Sequence, residues 1–282
     1  MAADMRMPVK APPVVDPPFS WTGFYVGGNA GYSWGRARTD QTDTLTSTPS
    51  LRAFTAGGVE VFTVGNITFP VIGAPTVTSG STSQRSNVDG FVGGLQAGYN
   101  WQIDRYWLLG IEADFQGSGE RGSGSVCSLG CGATGAFGSA STRMDWFGTL
   151  RGRVGWLPVE RVLLYATGGL AYASLRTDYV SGINDPFSTF AAGSARSTRV
   201  GYTAGAGVEG AIDKHWSIKG EYLFMAFDPY STNLGSASRT VTGPTFTLAD
   251  RVILPSTTNV NAASVRTRFY DHVLRLGVNF HL

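Results

Sequence analysis

Several stretches of this chain separate their charged from their apolar side chains only when read with a period of two. In RYWLLGIEADFQ, from Arg105, Trp107, Leu109, Ile111, Ala113 and Phe115 share one side and Glu112 and Asp114 the other. In TRVGYTAGAGVEGAID, from Thr198, the apolar side holds Val200, Tyr202, Ala204, Ala206, Val208 and Ile212, opposite Arg199, Thr203 and Glu209. HWSIKGEYLF sets Trp216, Ile218, Tyr222 and Phe224 against His215, Ser217, Lys219 and Glu221. DHVLRLGVNFHL sets Leu274, Leu276, Val278, Phe280 and Leu282 against Asp271, Arg275, Asn279 and His281. A helical period would return these charges to the apolar side. The stretches are therefore β-strands with one wet and one dry face.

Eight such segments fall at about 22–34, 88–102, 105–117, 142–157, 160–176, 197–212, 215–228 and 267–282. The fifth, RVLLYATGGLAYASL, is so uniformly small and apolar that its faces are not assigned. The connections alternate in length. Short turns lie at about 103–104, 158–159 and 213–214, and long linkers at about 35–87, 118–141, 177–196 and 229–266. Linkers of that length count against a compact soluble domain, but they suit an outer-membrane barrel with short periplasmic turns and long outer loops. The composition agrees: 15% of residues are charged, against about 25% in soluble domains. No run of 18 apolar residues exists to form a spanning helix. A net charge of +2 with no basic run excludes a nucleic-acid footprint.

The tryptophans favour the membrane. Trp21, Trp34, Trp101, Trp107, Trp146, Trp156 and Trp216 all fall at or near segment ends, as two aromatic belts at the lipid headgroups require. A lipocalin-like soluble barrel would instead turn its apolar faces inward, and it explains neither this placement nor the loop asymmetry. The expectation is an all-β fold, an eight-stranded antiparallel transmembrane β-barrel over 21–282. Residues 1–20 form a periplasmic tail in which Pro8, Pro12, Pro13, Pro17 and Pro18 prevent sheet pairing. The opening Met1-Ala2-Ala3-Asp4 reads as a mature exported chain restarted with its own Met, which expects an apolar export segment upstream of Asp4 in the precursor. Cys127 and Cys131, in CSLGC, read as a small disulfide ring, with free thiols as the alternative; a metal site there lacks further ligands.

WTGFYVGGNAGYSWG, GFVGGLQAGYNWQ, WFGTLRGRVGW, LLYATGGLAYA and the closing VLRLGVNFHL together resemble the small outer-membrane proteins of alphaproteobacteria. That family includes porin-like, haemin-binding and surface-antigen members on an OmpA-like eight-stranded barrel. The resemblance covers all eight strand segments, roughly 120 of the 282 residues. One departure is the terminal Leu282, where such barrels commonly end in an aromatic; the assembly signal would then rest on Phe280 and Leu282 together.

The inward faces carry Glu112, Asp114, Arg143, Asp145, Arg151, Arg153, Arg199, Glu209, Lys219, Glu221, Asp271 and Arg275, six acids and six bases. An eight-stranded barrel is only wide enough for side chains to fill, so these charges read as a salt-bridged, largely closed lumen, with Glu209 across a hairpin from Lys219. The expected function is that of a structural surface protein of the outer membrane, supporting envelope integrity or surface interaction, with a small-solute porin and a haem-binding surface receptor as the alternatives. No enzyme is expected: Glu112 and Asp114 stand among arginines, and none of His215, His272 and His281 lies in a long loop. Haem would need Tyr179 or Tyr230 as ligand, where interface tyrosines are the simpler reading. The runs 59–64 and 67–72, joined at Gly65-Asn66, predict a hairpin in the first loop, and TVTGPTFTLADRVIL predicts similar strands in the fourth. Their apolar faces need a cover: each other, lipopolysaccharide, or a second copy in a homo-oligomer or lattice. Outer-membrane lipid is the remaining expected partner.

Overall fold

A computed structural model describes residues 20–64, 67–68, 70–128, 136–183, 189–248 and 251–282. Alternating side chains produce what the period of two requires. Eight long strands carry the architecture: β1 (Gly23–Phe54), β2 (Thr76–Gln102), β3 (Trp107–Ser118), β4 (Ala136–Val159), β5 (Val162–Ile183), β6 (Thr189–Ala211), β7 (Trp216–Thr242) and β8 (Arg251–His281). Each pairs antiparallel with its neighbour in sequence. β8 returns to β1, from Tyr25↔His281 to Phe54↔Val252. Over the shared length the sheet closes on itself, which removes the unpaired edges an open sheet would present. Loop-ward of Gly201↔Phe227, β6 and β7 no longer pair.

The strands outrun the expected segments. Most of the stretches read as linkers, 35–54 and 76–87 among them, continue the strands. Runs such as TDTLTSTPS in β1 and STTNVNAAS in β8 carry no apolar alternation. Small polar side chains occupy both of their faces, so the signal that marks a strand inside lipid disappears while the backbone ladder persists. In the first loop Thr63–Val64 pairs with Ile67–Thr68, and in the fourth Phe246–Leu248 pairs with Arg251–Ile253. Glu60–Val61 adds to the end of β1 on its other side. The pair 63–64 with 67–68 stands as a separate two-stranded sheet, while Glu60–Val61, Val71–Ile72 and Phe246–Leu248 add to the sheet of β1 and β8.

Two of the tight turns share one device. Asp104 accepts from the backbone N–H of Tyr106 and Trp107, both at 2.7 Å. Asp213 does the same for His215 and Trp216, both at 2.8 Å. In each, the residue before the Asp donates to the carbonyl of the Trp, Ile103 at 2.9 Å and Ile212 at 2.8 Å. An Asp holding a turn with its own side chain needs no glycine. The Asp213 carboxyl is held below its ordinary value chiefly by these two backbone donors.

Side chains divide cleanly between the faces. Phe91, Leu95, Ile111, Leu276 and their like face out, exposed. The inward face is stratified. At the turn side Trp21, Leu108, Leu157, Leu163 and Tyr165 form an apolar plug; toward the loops a second apolar layer includes Phe147, Leu175, Leu223, Met225, Phe269 and Val273. β5, whose faces the sequence leaves unassigned, points Leu163, Tyr165, Ala171, Ala173 and Leu175 inward.

Trp21 corrects the expectation of an outward belt residue. It is fully buried, its Nε1 donating to the Glu160 carbonyl at 2.9 Å and its ring edge-on to His281. Trp34, Trp101, Trp107, Trp156 and Trp216 are exposed on the outer face. Trp146 is half-buried against Phe115 and Tyr172. They lie toward the two ends: Trp107 opposite Trp156 near the turns, Trp34 opposite His272 toward the loops.

Candidate functional site

Between the two apolar layers lies a belt of ionised side chains. Glu112 and Asp114 come from β3, Arg151 and Arg153 from β4, Glu209 from β6, Lys219 and Glu221 from β7 and Arg275 from β8. The three pairs are each spaced two apart on their strands, all eight side chains point inward, and none is more than 4% exposed. Four acids meet four bases.

Glu112 is the hub. It accepts from Lys219 Nζ with both oxygens at 2.9 Å, from the Tyr25 hydroxyl at 2.6 Å and from Arg151 Nη2. Arg151 also donates to Glu221 at 2.9 Å and Asp114 at 3.0 Å. Arg275 joins the same two acids from the opposite side, Nε to Glu221 at 2.7 Å and Nη2 to Asp114 at 2.8 Å. Arg153 donates to Glu209 at 2.7 Å and lies over the Tyr165 ring at 4.3 Å. Ser217 and Asn279 complete Glu209 at 2.6 and 2.7 Å. Buried charge is tolerable only when paired and hydrogen-bonded in this way.

Two glycines make room. Tyr25 stands opposite Gly98 and Tyr165 opposite Gly207. A Cβ on Gly98 would come within 2.3 Å of the Tyr25 hydroxyl oxygen, and one on Gly207 within 2.5 Å of that of Tyr165. Each ring lies flat over its glycine, and its hydroxyl reaches a carboxylate, Glu112 or Glu221. The Tyr–Gly pairs belong to this network although the hydrophobic pattern does not reveal them; the cross-strand register exposes them.

Four of the twelve charges expected in one network stand elsewhere. Arg143 and Asp145 turn outward, with side chains 42% and 33% exposed and 3.6 Å apart. The cause is a β-bulge: Ser174 pairs with Trp146 but Leu175 with Met144, leaving Asp145 without a partner in β5. One extra residue flips the parity of everything loop-ward of it. Arg199 faces inward but lies over Tyr230, at 4.6 Å. Asp271 is buried and accepts from Ser33 at 2.5 Å, away from the four bases. The expected Glu209–Lys219 pair has the right register, yet Lys219 turns to Glu112 and Glu209 to Arg153.

The candidate iron ligands are occupied. Tyr230 is buried with its hydroxyl 2.6 Å from that of Thr177, and Tyr179 is buried with its own 3.4 Å from that of Thr267. His215 lies in a turn, His281 is buried 3.0 Å from Ser217, and His272 faces out, stacked on Trp34. Cys131 lies outside the described residues, and with it the expected ring to Cys127.

The chain is 38% identical over 226 residues to a 31 kDa outer-membrane immunogenic protein of Brucella melitensis, covering 79% of each. It is 31% identical over 186 residues to a 22 kDa outer membrane protein of Rhizobium leguminosarum, covering 65% of this chain and 72% of that one. Among solved structures it is similar to OprG from Pseudomonas aeruginosa, at 12% identity and a TM-score of 0.37 over 95% of this chain and 100% of that one. Residues 18–248 match the model of the outer membrane protein beta-barrel domain. The chain therefore belongs to the outer-membrane β-barrel family and resides in the bacterial outer membrane, with relatives in the alphaproteobacteria.

Proposed function

We propose that the eight long strands form one transmembrane barrel, with the short turns and both chain ends in the periplasm and the extended strand ends outside. Its function is that of a non-enzymatic structural surface protein whose lumen conducts little or nothing. One observation carries this reading: four acids and four bases, all buried, cross-link β3, β4, β6, β7 and β8 through the middle of the interior. Trp21 and its neighbours close the turn side below them. Ions would have to break several charge-assisted bonds to pass, each stronger than an ordinary hydrogen bond.

Planar-bilayer recording of the refolded chain tests it. The expected record is a baseline without stable conductance. Stable openings of uniform size would overturn the closed-lumen reading in favour of a small-solute porin. Heat-modifiable gel mobility tests the barrel itself; a chain that stays soluble and monomeric without detergent is not one.

A further inference from the structure

On strand after strand, the outward face passes from an aromatic to an arginine in the loop-ward direction. Trp34 is followed by Arg36 and Arg38 on β1, Tyr172 by Arg176 on β5, and Tyr270 by Arg268 on β8. On β2 the outermost aromatic is Phe91 and the arginine is Arg85. Register then sets arginine against arginine. Arg38 stands opposite Arg85 on one side and opposite Arg268 on the other. Farther round, Arg143 stands opposite Arg121 and Arg176, and Arg176 opposite Arg196.

Like charges directly opposite one another across a sheet are destabilising. The second row is offset in place: Arg143 and Arg196 share Asp145 at 3.6 and 3.4 Å, and Arg176 holds Asp178 at 3.3 Å. The Arg85–Arg38–Arg268 row has one comparable partner, Asp40, 3.4 Å from Arg38. Arg36 and Arg85 have no carboxylate within ion-pair distance among the described residues. At the turn side each outward cation has an acid as chain neighbour, in Asp104-Arg105, Glu160-Arg161 and Asp213-Lys214. Among the described residues, arginine stands directly opposite arginine at the loop side alone.

Beneath the triple row lies an open groove of about 640 Å³, lined by Trp34, Arg36, Tyr270 and His272 among others, and by Asp89, whose carboxylate accepts from the Tyr32 hydroxyl at 2.5 Å. Below the groove runs the exposed apolar band, with Phe91 and Leu274. Cation above, ring-lined hollow between and hydrocarbon-facing surface below match one kind of molecule. We propose that this face binds the phosphorylated sugar headgroup of a glycolipid in the outer leaflet. Its phosphates bridge the guanidiniums of Arg38, Arg85 and Arg268, its sugar occupies the groove, and its acyl chains follow the apolar band. Guanidinium pairs phosphate through two parallel bonds, and one phosphate between two arginines turns their repulsion into attraction. The inference rests on the transmembrane reading above.

The test uses the full chain refolded in a non-ionic maltoside detergent, titrated with a bis-phosphorylated diglucosamine lipid and with the same lipid dephosphorylated. The triple variant Arg38→Gln, Arg85→Gln, Arg268→Gln is expected to bind the phosphorylated lipid roughly tenfold to a hundredfold more weakly, since each surface arginine adds about a factor of five near anionic headgroups. A turn-side triple, Arg105→Gln, Arg161→Gln, Lys214→Gln, keeps wild-type affinity, and the dephosphorylated lipid binds wild type as weakly as it binds the first variant. A second readout reverses sign: Arg38→Gln leaves the melting temperature unchanged or raised in pure maltoside and lowers it once the phosphorylated lipid is present. Unchanged affinity in the loop-side triple, indifference to phosphate, or equal loss in both triples overturns the site. If the chain inserts into vesicles and shifts on heating while binding is unchanged, the site alone fails. If it does neither, the transmembrane reading fails and takes the site with it.

Discussion

The protein carries two populations of arginine on opposite faces of one sheet. Inside, Arg151, Arg153 and Arg275 are buried and each meets at least two carboxylates. Outside, Arg38, Arg85 and Arg268 face one another with Asp40 as the one comparable counter-charge. Inside, each of the eight buried charges has an opposite charge within ion-pair distance, as burial requires. The exterior leaves its balance to the surroundings, which high dielectric makes cheap for any single charge. Charge in the first population is cross-linked within the chain; charge in the second stands opposite like charge.

The comparison breaks most sharply at Glu112. Replacing it with Gln leaves Lys219, Arg151 and Arg153 short of their shared acceptor inside the barrel. Removing one partner of a buried pair typically costs about 3–5 kcal/mol, whereas Arg38→Gln in the same detergent changes stability by less than about 1 kcal/mol. Urea unfolding of the refolded chain, followed by gel mobility, measures both. Equal losses would mean that the interior charges are solvated and the lumen is open.

Next in size is Trp21. Fully buried at the turn side, its ring fills the plug with Leu108, Leu157 and Leu163. Trp21→Ala is expected to destabilise by about 3–5 kcal/mol while conductance stays at baseline, because the charged belt above still closes the lumen. Conductance appearing in this variant would assign closure to the apolar plug and not to the charges.

A smaller effect probes how the network is held. Gly98→Ala places a Cβ 2.3 Å from the Tyr25 hydroxyl and drives the ring off Glu112. Overpacking of this kind costs about 1–3 kcal/mol. Tyr25→Phe removes the same hydrogen bond without the clash, so the two losses combine less than additively in the double variant. Full additivity would show that the Tyr–Gly pair does not act as a unit.

Which parts of this were legible in the sequence follows from where the physics is local. The inward faces of β3, β6, β7 and β8 are readable because lipid outside and charge inside impose opposite chemistry on adjacent residues. Arg143 and Asp145 are misread because a single bulged residue, Asp145, inverts the parity without any mark in composition. Trp21 is misread because a ring at a strand end looks the same whether it turns to lipid or to the interior. The extensions of β1 and β8 are invisible because strands with polar side chains on both faces lose their alternation. Partner choice at Lys219 is not a pairwise matter either: its cross-strand neighbour is Glu209, but Glu112 lies within reach across the interior. The arginine rows were present as letters from the start, and they became rows only once the register was known.

The smallest effect lies in the turns. Asp213 accepts two backbone N–H bonds and has its carboxyl held below the ordinary value of 3.8, with His215 and Arg161 adding attraction. A depressed folded-state value means that the carboxylate stabilises the folded form above the unfolded value, and that this contribution is lost as pH falls through the folded one. The loss therefore sets in below about pH 4. Asp213→Asn keeps an acceptor for the turn but does not titrate in that range, so its stability changes less on acidification than that of the wild type. Parallel melts of the two proteins from pH 6 down to pH 2 measure the difference. This turn is exposed, unlike the charges at the centre of the barrel, so its contribution is also the one that added salt should reduce most. If the two profiles coincide at every pH, the turn is held by its backbone geometry and the Asp213 charge contributes nothing to it.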